Sequence, residues 1–181
     1  MGILGSEIKH SFAGQSFRGM LAGFGFTFAD AVVTLFSVSK KSGRIAVLID
    51  GCKGRDLDPH YLGYFACFNQ GLFYDSHDVL EELWLEDRNG PNGAFYKGLI
   101  QFAGAFVHLQ KDSPAQRRLR PAAALFKLAR TNLTRFSGVH ERLDVSRVLA
   151  LIEEWLGYLE GGEFTVNPLR ERDAPRLAVQ D

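Results

Sequence analysis

Residues 94–110 constrain the fold more than any other stretch. Phe95, Leu99, Phe102, Phe106 and Leu109 recur at three- and four-residue spacing, and Ile100, Ala103 and Val107 widen the stripe. That period belongs to an α-helix, and a stripe this wide has to be covered on several sides. The third helix of the chain, from about Ala94 to Gln110, is therefore expected to be the central one. Four others are predicted around it. Asp58-Pro59 offers an N-cap and a first-turn proline for an aromatic helix over His60–Phe68, stopped by Asn69 and Gly71. A second helix is expected from Asp75 to Asp87, opened by an Asp75/Asp78 pair that resembles a capping box, with the turn Asn89–Gly93 behind it. Ser113-Pro114 would open a fourth helix, which Pro121 should kink or restart. Asp144 should cap a fifth, carried by Val148, Ile152, Trp155 and Leu159 and ended by Gly161-Gly162.

Short connections between helices imply an all-α fold, a compact bundle of about five helices over residues 56–164. Residues 165–181 read as a polar tail, draped or disordered. Residues 1–55 read as an N-terminal extension, partly disordered or started too early. Within it, Met20–Val38 is mostly apolar, but a central Asp30 would cost about 2.5–3.5 kcal/mol in a bilayer, so no membrane span is expected. Ala29-Asp30-Ala31 resembles a cleavage site, which leaves export or organelle targeting through residues 1–39 as an alternative to a cytoplasmic protein. The short apolar run Ile45–Ile49 suits a buried strand.

Lysines and arginines number 21, as do aspartates and glutamates. A zero balance argues against a general nucleic-acid or membrane-surface binder. Residues 56–110, however, carry eight acidic and two basic side chains, most of the acids between Asp75 and Asp87. The two cysteines, Cys52 and Cys67, form no disulfide framework and fit a reducing compartment. Cys67 reads as a buried small hydrophobe and Cys52 as a loop thiol. His10, His60 and His140 stand in polar contexts and are expected at the surface. The arginines from Arg117 to Arg135 suit a solvated helix face or an acidic partner.

The stretch Tyr74–Trp84 carries the chemistry. On a helix His77 and Glu81 stack on one face, with Trp84 one turn further. Lys97, Gln101 and His108 share a face of the third helix with the small residues Gly104 and Ala105. If the second and third helices pair antiparallel, His77 and Glu81 can lie opposite Gln101 or His108. Such a group permits three readings: a metal or ligand site, acid–base chemistry at a histidine tuned by a carboxylate, or a self-satisfied polar network that fixes helix register. No zinc-protease pair, phosphate loop, nucleophile elbow or cysteine pair at metal spacing is present.

The run Phe68–Trp84, followed by Gly98-Leu99-Ile100-Gln101 and His108, resembles the family called domain of unknown function 309, over about residues 58–160. Its pattern of Asn-x-Gly, an acid two before a histidine, an acid after it, a glutamate four beyond and a tryptophan three further is met by Asn69, Gly71, Asp75, His77, Asp78, Glu81 and Trp84. Asp75 and Asp78 stand where glutamate is usual, and the shorter Asp78 reaches less far as a ligand. The resemblance implies a small all-helical protein and no particular activity. The expectation is a polar pocket formed by Asp75, His77, Asp78, Glu81, Trp84, Gln101 and His108, binding a small polar ligand or a divalent metal held by His77, Glu81 and His108. The alternative is a protein-interaction module whose polar residues are structural.

Overall fold

A computed structural model describes residues 41–180; the apolar run at Met20–Val38 and the cleavage-like Ala29–Ala31 lie outside the described residues. Residues 41–49 are helical (α1), followed by a 3-10 turn at Asp50–Cys52. Then come α2 (Pro59–Phe68), α3 (Phe73–Asp87), α4 (Gly93–Gln110), α5 (Leu119–Leu133) and α6 (Val145–Gly161). A short antiparallel hairpin, β1 (Val139–His140) and β2 (Leu143–Asp144), precedes α6, and a 3-10 turn at Pro168–Arg170 follows it. The expected all-α bundle is observed.

Helix α4 forms the axis of the bundle, with α3 on one flank and α5 on another. Phe95, Leu99, Phe102 and Phe106 are each fully buried. Phe106 meets the Phe126 ring of α5 edge-on at 5.4 Å and the Trp155 ring of α6 at 4.7 Å. Such edge-to-face pairs add about 0.5–1.5 kcal/mol each to the area they bury. The Tyr64 hydroxyl of α2 donates to the Leu99 carbonyl of α4 at 2.9 Å, which ties a third helix to the axis.

Several expectations change in physical detail. Ile45–Ile49 is helix, not strand. Ile45 and Ile49 are buried four apart while Val47 between them is 76% exposed, a burial pattern with helical period. Residues 41–52 therefore belong to the folded unit, and the N-terminal extension does not reach to residue 55. Helix α3 starts at Phe73, and the Asp75/Asp78 capping box does not form, because Leu72 is the N-cap and both carboxylates turn toward α1. Pro121 neither kinks nor restarts α5. The helix begins at Leu119, so the proline lies in the first turn, where no backbone N–H is required. Asp144 caps α6 as expected, accepting from the Arg147 N–H at 3.0 Å.

His140 is half-buried rather than free on the surface. Its ring packs against Phe95 at 4.7 Å and Phe136 at 4.5 Å. It ends the first strand of the hairpin, whose turn residues Glu141 and Arg142 both have left-handed φ, 46° and 60°. A two-residue turn of this hand normally uses Asn-Gly. Here outside bonds hold it, with the Glu141 carboxylate accepting from Asn92 at 2.8 Å and its carbonyl from the Tyr61 hydroxyl at 3.0 Å. The tail is draped and pinned. Asn69 donates to the Leu177 carbonyl at 2.7 Å and accepts from the Leu177 N–H at 2.8 Å, and Val179 bridges to Leu143.

Close approach of α4 to α5 depends on Gly98. A Cβ added there would lie 2.7 Å from Leu133 Cγ and 3.4 Å from the Ala129 carbonyl oxygen, in a region with no free volume. Gly98→Ala is expected to destabilise the domain by about 1–3 kcal/mol, read from the denaturation midpoint.

Candidate functional site

The polar residues of α3 divide between two surfaces. Asp75, Asp78 and Glu81 face α1, while His77 stands on the crest beside α4. Lys41 Nζ donates to Glu81 Oε2 at 2.6 Å and lies 3.3 Å from Asp78 Oδ1. Arg44 Nη2 donates to Asp78 Oδ2 at 2.9 Å. Arg44 Nη1 is 3.1 Å from Asp75 Oδ1, but off the hydrogen-bond direction, so that oxygen is ion-paired without being hydrogen-bonded. One residue on from the Lys41–Glu81 pair, Ser42 donates to Glu82 at 3.1 Å. Three acids at three-residue spacing thus meet two cations at three-residue spacing, one helix against another.

Beneath this ladder lies an aliphatic strip made by Ile45, Ile49, Cys67 and Val79. Gly63 of α2 opens the space for it. A Cβ there would stand 2.9 Å from Ile49 Cγ2 and 3.1 Å from Val79 Cγ1. Burial pushes the Cys67 thiol up to about 11, with Asp75 adding to the shift, so it is a packing group. Cys52 is buried in the 3-10 turn after α1 and is no loop thiol.

The electrostatics follow the geometry. Burial opposes ionisation of both Asp78 and Lys41, yet both stay charged more firmly than usual. Asp78 is held low by its contact with His77 and by the Lys41 charge, and Lys41 is held high by Glu81 and Asp78. A ring nitrogen of His77 and carboxylate oxygens of Asp78 and Glu81 all lie within 4.8 Å of one another, a group able to hold a cation. His77 Nδ1 itself is 3.3 Å from Asp78 Oδ1.

The other expected residues do not join this group. On its far side His77 Cδ2 would lie 3.8 Å from a Cβ at Gly104, so α3 and α4 do meet there. Gln101 accepts from Asn132 of α5 at 2.8 Å and is spent within the protein. His108 is outside the cluster, and its Nδ1 is buried without a hydrogen-bond partner in the protein, as is Trp84 Nε1. Two shallow cavities, of about 240 and 320 Å³, lie against Tyr158 and Arg172 and against Asn69 and Pro175; neither is lined by His77, Glu81, Gln101 or His108. Lys41 and Arg44 are the partners of these acids that sequence reasoning missed. Their only signal was a basic pair, three apart, just before an apolar run.

His108 has its own electrostatic consequence. Burial, then the charges of Arg118 and Lys111, hold its pKa below the usual 6.5. A base depressed in the folded state is protonated first in the unfolded chain, so its contribution is complete above 6.5 and fades as pH falls below it. The melting temperature should therefore drop between about pH 7 and pH 5, and His108→Gln should flatten that drop.

No curated protein and no solved structure matches the chain. Residues 61–119 match the family model described as Domain of unknown function (DUF309). The matched stretch runs from α2 through α4 and includes Asn69, His77, Glu81, Trp84, Gln101 and His108, whereas Lys41 and Arg44 lie before it. Over residues 61–119 the chain is similar to this family, the one that its sequence resembles.

Proposed function

We propose that this protein is an interaction module whose α2–α3 surface receives an amphipathic helix, and that α1 is its resident occupant. One observation carries the reading: the Lys41 ammonium sits 2.6 Å from Glu81 and 3.3 Å from Asp78, so the acids of the motif already have a partner. The required helix has two cations three apart and two aliphatic residues four apart, as Lys41, Arg44, Ile45 and Ile49 supply. Charged groups select such a partner and fix its register, and the aliphatic strip holds it. Asp75, Asp78 and Glu81 are docking residues in this reading, and Gln101 and Asn69 are structural. Two buried free thiols favour a cytoplasmic setting. No helix among the described residues is long and apolar enough to cross a membrane.

Asp78→Asn should cost about 1–3 kcal/mol, as loss of a charged hydrogen-bonded partner does. A carboxyl with a depressed pKa contributes above its unfolded value, 3.8, so the gap between variant and wild type should be full above that pH and close below it. Thermal melts of both proteins across the acid range provide the check. The receptor itself is tested by Ile45→Glu in the full chain, which unseats α1, with a labelled peptide spanning residues 41–52 added in trans. The peptide should bind the variant and not the wild type, and Asp78→Asn with Glu81→Gln should abolish that binding. A peptide that ignores the unseated variant removes the proposal.

A further inference from the structure

We infer that the His77–Asp78–Glu81 cluster is a cation site in which the Lys41 ammonium stands in for a divalent transition metal, so that metal binding and seating of α1 exclude each other. The inference rests on the docking of α1 described above and adds a ligand to it.

Two independent observations support it. The first is the donor set. An imidazole nitrogen and two carboxylate oxygens converge within 4.8 Å, and His77 is 27% exposed, so the cluster can be reached from solvent. Imidazole with carboxylates suits zinc, manganese or iron more than calcium. Metal–ligand bonds of about 2.0–2.2 Å would draw the three atoms to roughly 3.5 Å apart, a movement that side-chain torsions can supply. The second is that a cation already sits at the cluster: Lys41 Nζ contacts both carboxylates from α1. That cation leaves the ladder short of charge. Asp75, Asp78 and Glu81 bring three negative charges, and Lys41 and Arg44 return two. With α1 unseated both of these cations leave together, and a divalent ion would meet three uncompensated carboxylates. Lys41 is half-buried and its nitrogen cannot move aside without breaking its bond to Glu81, so the ion and the ammonium compete for the same oxygens.

The test uses the full chain without a histidine tag and zinc or manganese ions alone, followed by calorimetry. Lys41→Met keeps the length of the side chain and removes its charge. It should bind the metal at least tenfold tighter than wild type, and His77→Ala or Glu81→Gln in that background should abolish the gain. In the wild-type protein, added metal should speed amide exchange of residues 41–49 and leave α4 protected; this arm decides the matter should Lys41→Met not fold. Equal metal binding by Lys41→Met and wild type, a gain that survives loss of His77 and Glu81, or α1 amides indifferent to saturating metal would each overturn the inference. Failure here, with the trans peptide still binding the unseated variant, would leave the receptor reading standing; failure of the peptide alone would remove the receptor and leave the cation site.

Discussion

Everything in this domain is positioned against a helix that water reaches hardly anywhere. Helix α4 buries Phe95, Leu99, Phe102 and Phe106 completely, and its small residues let its neighbours come close. Burial of that many aromatic rings dominates the favourable side of folding for a domain of this size. The remaining helices are arranged by that demand. Helices α3 and α5 flank α4, α6 closes on Phe106 through Trp155, and α2 bonds to it through Tyr64. Polar residues are left only the seams.

In those seams the motif residues are used by the protein itself. Ser76 donates to the Tyr64 carbonyl at 3.0 Å, Asn69 clasps Leu177, Gln101 accepts from Asn132, and the three acids of α3 hold α1. A buried polar group without a partner costs on the order of 1–3 kcal/mol, which is why so many are paired. Of the exceptions near the motif, Asp75 Oδ1 is ion-paired with Arg44, while Trp84 Nε1 and His108 Nδ1 sit on different helices. The motif thus reads first as a specification of which helix lies on which.

What the sequence made legible was what depends on local spacing. The stripe from Phe95 to Leu109 announces a central helix because its period is intrinsic to the helix. Asp144 announces a helix start because its partner, the Arg147 N–H, is three residues away. By contrast, Asp78 and Glu81 are completed by Arg44 and Lys41, 34 and 40 residues upstream, and no spacing rule connects them. Lacking those partners, the acids looked available to a ligand or to His108. Five apolar residues at 45–49 were too few to distinguish strand from helix without knowledge of what would cover them. The hairpin turn was hidden for a different reason: Glu141-Arg142 lacks the glycine that advertises such a turn, and its conformation is imposed by Asn92 and Tyr61.

The clasp between Asn69 and Leu177 joins residues 108 positions apart. It also brings a buried leucine from the tail to the end of α2. Contacts this distant in sequence carry a large loop-closure entropy and form late. The side-chain amide of Asn69 therefore has to wait, in water, until Leu177 has emerged from synthesis. A nascent chain holding all its central helices would still lack this last seam, and a protease or chaperone could tell it apart from the finished molecule.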